Sequence, residues 1–188
     1  MEALRTLLDE LLEEYPNADV KGHYQFSTVK TCPNFDAAKS ASLALTMLDW
    51  IDYGPAYAKQ MIAVSQTFAQ ALDAAGIPVF AKSEGFTHSH QFAVEAAEFG
   101  GGHTASKKLR QAGFLACGIG LPIDAVEGDM NGLRIGTPEL VRWGVTPDRV
   151  GEIAALVAKA LRSNGPETIA DETRALRAEF NTLHYVHI

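Results

Sequence analysis

Several features are scarce in this chain of 188 residues, and each absence narrows the class of protein. The sequence has two cysteines, Cys32 and Cys117, without CxxC spacing, which favours a reduced, cytoplasmic setting. No apolar run reaches the roughly 20 residues that a membrane-spanning helix needs. The net charge is −7 and the one basic cluster is Lys107-Lys108, so a nucleic-acid surface is not indicated. A cytoplasmic globular protein without membrane or nucleic-acid partners is therefore predicted.

The length supports one domain with a substantial core and room for a terminal extension. We expect three parts. Residues 1–34 hold an N-terminal helix and a connecting, interface segment; residues 35–164 form the main domain; residues 165–188 form a C-terminal helix and tail. The N-terminal helix is acidic and amphipathic, unlike a secretory signal, and its apolar face is Leu4, Leu7, Leu8, Leu11, Leu12 and Tyr15.

Hydrophobic periodicity and turn residues predict helices that frame a small sheet. Two long helices are expected at residues 35–51 and 55–75, divided at Gly54-Pro55. Strands are expected at residues 77–81, 90–95, 114–117 and 133–135. Further helices are expected at residues 104–112, after Thr146-Pro147-Asp148, and at residues 166–180. The predicted fold class is α+β, a small sheet packed against helices, with long N-terminal helices.

The run GLRIGTPELVRWG at residues 132–144 carries the most information about function. Arg134 lies in a short predicted strand between two glycines, and its guanidinium offers a rigid fork that matches a carboxylate through two hydrogen bonds. Thr137 and Pro138 behind it are typical of the N-cap and first residue of a helix. The alternative role for Arg134 is a surface salt bridge, which contributes little to stability.

This run resembles the C-terminal domain of serine hydroxymethyltransferase-like enzymes, which are pyridoxal-phosphate proteins of the aspartate-aminotransferase fold. In that family a G-[LI]-R-[IVL]-G segment carries the arginine that binds the amino-acid carboxylate. Similar landmarks extend from about residue 26 to about residue 161, including a proline-initiated long helix, GFTHSHQ at residues 85–91 and Leu121-Pro122. The resemblance implies the small C-terminal domain of that fold, with Arg134 binding the substrate.

The resemblance also implies a missing half. Pyridoxal-phosphate chemistry needs a Schiff-base lysine, an acid for the pyridinium nitrogen and donors for the phosphate. In the family these groups come mostly from a large domain that precedes the region seen here. We therefore expect one subunit of a split transferase, completed by a companion chain with the large domain in a hetero-oligomer, a dimer of heterodimers. An isolated fragment is the other interpretation.

Lys30 lies in STVKT at residues 27–31, which is similar to the family's S-T-x-H-K-T segment around its Schiff-base lysine. The order of landmarks favours a second register, in which residues 26–33 match a later loop that reaches the cofactor phosphate of a neighbouring subunit. In that second register Ser27, Thr28 and Thr31 are the expected phosphate donors. In the first register, which is the alternative, Lys30 is the Schiff-base residue. An ordinary loop at a subunit contact is the remaining interpretation.

Two histidines and a glycine run each have two interpretations. His88 and His90 form a His-x-His pair, yet no third ligand has a fixed spacing, so no metal is predicted. The resemblance places His90 near the active-site entrance, where it binds substrate or the partner domain; otherwise it is a structural histidine. Gly100-Gly101-Gly102 before a helix suits an anion but lacks a phosphate-binding fingerprint, so a tight turn is expected.

The expected reaction is aldol or retro-aldol chemistry on β-hydroxy α-amino acids such as serine or threonine, or on glycine in reverse. Folate-using members of the family carry an asparagine that contacts the pterin, at a position that is Ile119 here. This difference argues against tetrahydrofolate, because the pterin's polar edge would be left unpaired. A threonine transaldolase or aldolase without folate is the alternative, and a non-catalytic assembly partner of the cofactor-binding chain is a third hypothesis.

Overall fold

The computed structural model describes Glu13 and residues 37–187. Side chains are described for Glu13 and for residues 43–187. Apart from Glu13, the predicted N-terminal helix lies outside the described residues, and so does the segment with Lys30. One compact unit is Pro55–Tyr185, and the described residues 37–54 and 186–187 belong to a second unit. No helix in the described part is long and apolar enough to cross a membrane.

A single helix, α1 (Ala37–Ala74), replaces the two long helices that the sequence predicts. The expected break at Gly54-Pro55 was wrong, because the fixed φ of proline is itself helical and its main cost is one missing amide donor. From Pro55 onward, α1 buries a stripe at helical spacing that packs in the core: Tyr57, Met61, Val64, Phe68 and Leu72.

The sheet has three antiparallel strands, β1 (Gln91–Glu95), β2 (Cys117–Ile119) and β3 (Gly132–Gly136), in the order β1-β3-β2. Side chains alternate between its two faces. One face carries four core residues, namely Phe92, Val94, Leu133 and Ile135. The helices cover this face, and Phe68 of α1 meets the ring of Phe92 edge-on at 5.4 Å.

Two of the four predicted strands were misplaced. Residues 77–81 make only an isolated bridge, from Val79 to Val94. The strand expected at residues 114–117 instead begins at Cys117, because Phe114 is held by the turn that ends the preceding helix. Its N–H donates to the carbonyl of Leu109 at 2.8 Å, after Gly113 has turned the chain with a φ of +90°.

Four more helices complete the described fold: α2 (Gly102–Gln111), α3 (Pro138–Arg142), α4 (Val150–Arg162) and α5 (Ala170–Ala178). Short 3-10 turns lie at Lys82–Glu84, Ala97–Phe99 and Pro166–Ile169, so the last predicted helix is divided into a 3-10 turn and α5. α2 packs against β2, β3 and α4. α4 starts after Arg149 rather than directly at Thr146-Pro147-Asp148, without a side-chain cap.

Candidate carboxylate site on the sheet

Arg134 lies at the centre of β3, the middle strand. Its cross-strand partners are Ala93 on β1 and Cys117 on β2. The alternation of β3 buries Leu133 and Ile135 in the core and leaves Arg134 exposed on the opposite face. Within the part of the chain that the structure describes, its guanidinium makes no hydrogen bond or ion pair. The strand therefore fixes the backbone of Arg134 while its five N–H donors remain available.

Small residues surround Arg134 on this open face. Gly132 and Gly136 lie two positions away on the same strand, and Ala93 and Cys117 lie beside it. A Cβ added at Gly136 would meet only the Cδ of Pro138, at 3.6 Å. The long arginine side chain therefore stands above a floor of short immediate neighbours, with the longer Gln91, Glu95 and Ile119 diagonal to it on the same face. Such a floor suits recognition of a planar carboxylate, since the paired N–H donors stay accessible.

Thr137 connects the arginine strand to the start of β1. Its N–H donates to the carbonyl of His90 at 2.9 Å, and its buried hydroxyl lies 2.9 Å from the carbonyl of Met61 and 3.0 Å from that of His90. Thr137 and Pro138 do occupy the N-cap and first position of α3, as predicted, although the hydroxyl bonds elsewhere than to the helix amides. These bonds fix the backbone at His90.

The two histidines do not form the strand pair that a metal site would need. β1 begins at Gln91, so His88 and His90 lie in a bend before it, with exposed side chains. No group of three or more His, Cys, Asp or Glu side chains in the described residues is arranged to hold a metal ion. His90 as a substrate-binding residue stays a prediction.

The glycine run forms a tight turn in front of α2. Gly101 has a φ of +104°, and a Cβ there would lie 2.5 Å from the side chain of Asp129. The Asp129 carboxylate accepts hydrogen bonds from the N–H of His103 at 2.8 Å, the N–H of Thr104 at 3.0 Å and the Thr104 hydroxyl at 2.9 Å. The protein thus supplies its own anion at this helix N-terminus.

These bonds set the ionisation of Asp129. Desolvation raises its pKa, but the backbone N–H groups of His103, Thr104 and Met130 and the Thr104 hydroxyl together hold the pKa well below its usual range. The sequence analysis did not single out Asp129, which comes 26 positions after His103. A contact at that separation has no local signal.

A buried asparagine organises the loop before β3. The Oδ1 atom of Asn131 accepts from the N–H of Leu121 at 2.7 Å, and its Nδ2 donates to the carbonyls of Leu121 at 2.9 Å and Ile123 at 3.0 Å. Ile119, the position that replaces the pterin-binding asparagine, ends β2 opposite Gly132 and is half-buried. The sequence did not single out Asn131, because an asparagine near glycines is typical of an ordinary turn.

The expected phosphate donors Ser27, Thr28 and Thr31, the alternative Schiff-base residue Lys30, and Cys32 lie outside the described residues. The described part therefore brings together one portion of the predicted site, the arginine and its surroundings. Whether those donors approach it stays a prediction.

Comparison with curated proteins identifies relatives of this chain. The chain is 51% identical over 154 residues to an alpha-methylserine aldolase of Ralstonia sp, covering 81% of this chain and 35% of the relative. It is 54% identical over 153 residues to one of Variovorax paradoxus, covering 81% and 34%. A serine hydroxymethyltransferase of Korarchaeum cryptofilum is 35% identical over 150 residues, covering 77% and 35%. The chain is homologous to alpha-methylserine aldolases and serine hydroxymethyltransferases.

A solved structure confirms the fold of this chain. The L-threonine transaldolase from Pseudomonas fluorescens superposes with a TM-score of 0.65 at 21% identity, covering 76% of this chain and 33% of that one. The predicted α+β class and its relation to the pyridoxal-phosphate transferase fold are confirmed. No family model matches the chain. The chain spans about a third of the length of the curated relatives that it matches.

Proposed function

We propose that this chain supplies the substrate-carboxylate site of a pyridoxal-phosphate-dependent aldolase that acts on α-methylserine or a similar β-hydroxy α-amino acid. The observation that carries the proposal is Arg134, exposed on the central strand above small residues and unpaired among the described residues. The 51–54% identity to alpha-methylserine aldolases supports this reaction over a folate-dependent one. The aliphatic side chain of Ile119 also supports a reaction without folate, since it offers a pterin no hydrogen bond.

In our proposal the described residues bind the substrate, and the lysine that binds the cofactor lies elsewhere. The homologous hydroxymethyltransferases and transaldolases are pyridoxal-phosphate enzymes, and that cofactor, when bound, withdraws electrons from Cα of the amino acid. None of the three strands carries a lysine, while Lys82 pairs with Asp73 at 2.7 Å and Lys159 with Glu172 at 2.6 Å. In our proposal the Schiff-base lysine belongs to a large domain on a companion chain.

Arg134 orients the amino acid. Two parallel N–H bonds to the carboxylate fix Cα and therefore decide which of its bonds is aligned for cleavage. For α-methylserine, breaking the Cα–Cβ bond releases the hydroxymethyl carbon as formaldehyde, the hydroxyl gives up its proton, and Cα takes up a proton to leave alanine. Ser27, Thr28 and Thr31 are proposed to donate to the cofactor phosphate, and His90 to contact the substrate.

The first half of α1 supports the companion chain. Six large apolar side chains are exposed there, namely Leu43, Leu45, Met47, Leu48, Trp50 and Ile51. A group of exposed apolar residues of this size marks an interaction surface. We propose that the large cofactor-binding domain covers them in a dimer of heterodimers.

The deciding experiment is a visible absorption spectrum of the complex between this chain and its companion, with pyridoxal phosphate. We expect a cofactor band in wild type and in Arg134→Lys, because Arg134 holds substrate only. Alanine or α-methylserine should change the band in wild type. In Arg134→Lys the half-saturating concentration should rise about 10- to 100-fold, since hydrogen bonds to a charged group contribute about 1.5–3 kcal/mol.

An Arg134→Lys complex that responds like wild type would contradict the proposal and favour a non-catalytic assembly role for this chain. Arg142→Lys is the matched control: Arg142 donates to the carbonyl of Tyr185 at 2.8 Å and lies 4.6 Å from the centre of the Tyr57 ring, so it serves packing. Adding tetrahydrofolate to the active complex tests the hydroxymethyltransferase alternative.

A further inference from the structure

The face that carries Arg134 is asymmetric. Residues 132, 134 and 136 share this face of β3. A Cβ added at Gly132 would lie 2.5 Å from the Cγ of Leu121 and 2.6 Å from its Cδ1, whereas one at Gly136 would meet only Pro138, at 3.6 Å. The side chain of Leu121 therefore fills the place of the side chain that Gly132 lacks. Leu121 forms an apolar wall on the Gly132 side of Arg134, where Glu95 and Ile119 lie opposite Gly132 on the neighbouring strands. On the Gly136 side no side chain takes the place of the missing Cβ, and Gln91 lies opposite on β1.

The wall is held rigidly. Both backbone groups of Leu121 bond to the carboxamide of Asn131, at 2.7 Å and 2.9 Å, and Asn131 is only 9% exposed. The backbone carbonyl of Asn131 in turn accepts a hydrogen bond from the N–H of Ala96 at 2.8 Å. Pro122 restricts the backbone of Leu121 to extended conformations. A residue fixed in this way can discriminate between ligands that differ by one carbon.

We infer that Leu121 is a specificity-determining residue, which contacts the alkyl substituent on Cα of the amino acid whose carboxylate Arg134 binds. The inference rests on the proposed function and extends it to a preference for α-alkyl over α-hydrogen substrates. The isobutyl side chain of Leu121 offers no hydrogen-bond partner to a polar substituent on Cα. Contact with it does remove a methyl substituent on Cα from water. One methyl or methylene in such a contact changes kcat/KM by roughly 10- to 200-fold.

The test compares kcat/KM for α-methylserine and for serine in the complete complex. Leu121→Ala should lower the ratio of the two values about 10-fold, with serine changed by less than about 3-fold. Leu121→Val should fall between Leu121→Ala and wild type. Gly132→Ala should also shift the ratio, because its new methyl group must displace Leu121. The matched control is Leu156→Ala, since Leu156 lies half-buried on α4 in the helical layer.

Two results would overturn the inference: an unchanged ratio in Leu121→Ala, Leu121→Val and Gly132→Ala, or an equal loss with both substrates. Either result leaves the proposed function standing as long as Arg134→Lys needs a higher amino-acid concentration for its spectral response, as predicted above. A wild-type response in Arg134→Lys removes the proposed function itself. The two failures are therefore distinguishable.

Discussion

Asp129 is the residue whose charge matters most to local structure near the site. Its carboxylate takes up the first free amides of α2 and joins this helix to the loop before β3. Its pKa is held below the ordinary value, so its contribution to stability is fully present above the unfolded pKa of about 3.9. That contribution is lost as the pH falls toward the folded pKa.

We therefore predict that Asp129→Asn lowers the Tm by a few degrees at pH 7, and that its difference from wild type narrows below about pH 4. Thermal unfolding followed by circular dichroism between pH 3 and pH 7 measures both effects. Asp124→Asn is the control, because Asp124 is exposed on the neighbouring loop. A Tm difference that stays constant down to pH 3 would show that charge is irrelevant at this cap.

At the scale of elements, local patterns predicted the structure where burial follows periodicity. The helix expected after Asp148 is α4, and its apolar residues at helical spacing are buried: Val150, Ile153, Ala154, Val157 and Leu161. β1 and β3 lie within one residue of their predicted ranges. The strand at residues 114–117 failed because an apolar run does not show which residue is exposed, and Leu115 is 88% exposed.

In the candidate site, too, local patterns predicted some residues, and contacts between distant segments determine the others. Arg134 and its two flanking glycines lie in one continuous run, so the sequence predicted the arginine together with its surroundings. The roles of Leu121 and Asn131 depend on a contact between two chain segments about ten positions apart, which only the folded loop creates. The sequence marked Leu121-Pro122 as a landmark without indicating what the leucine touches.

Replacement of Pro55 tests how much stability the continuous helix α1 loses to its internal proline. Because a proline inside a helix lacks one amide donor, Pro55→Ala should raise the free energy of unfolding by about 1–3 kcal/mol. Urea unfolding measures this change. The matched control is Pro166→Ala, where proline starts a short 3-10 helix and no amide donor is needed, so no gain is expected. A destabilised Pro55→Ala variant would indicate that the proline has a structural role of its own.

At the scale of the whole molecule, the described residues of the two units differ in how many large apolar side chains they expose. Pro55–Tyr185 has a closed core around a sheet with one open face. The described part of the other unit exposes large apolar side chains along α1, where Ile51 is 61% exposed. The exposed Arg134 on one unit and the exposed apolar side chains of α1 on the other both support the proposal that the chain works with a companion chain.

Assembly should therefore depend on α1 more than on other exposed apolar residues. Ile51→Glu is predicted to weaken association with the companion chain at least 10-fold, because a charge would be buried in an apolar contact. Leu115→Glu, at a leucine that is 88% exposed on the loop after α2, should leave association unchanged. Light scattering of the mixed chains measures both, with a dimer of heterodimers expected for wild type. Equal behaviour of the two variants would mean that the companion chain does not bind at α1, whereas selective loss in Ile51→Glu would place the interface there.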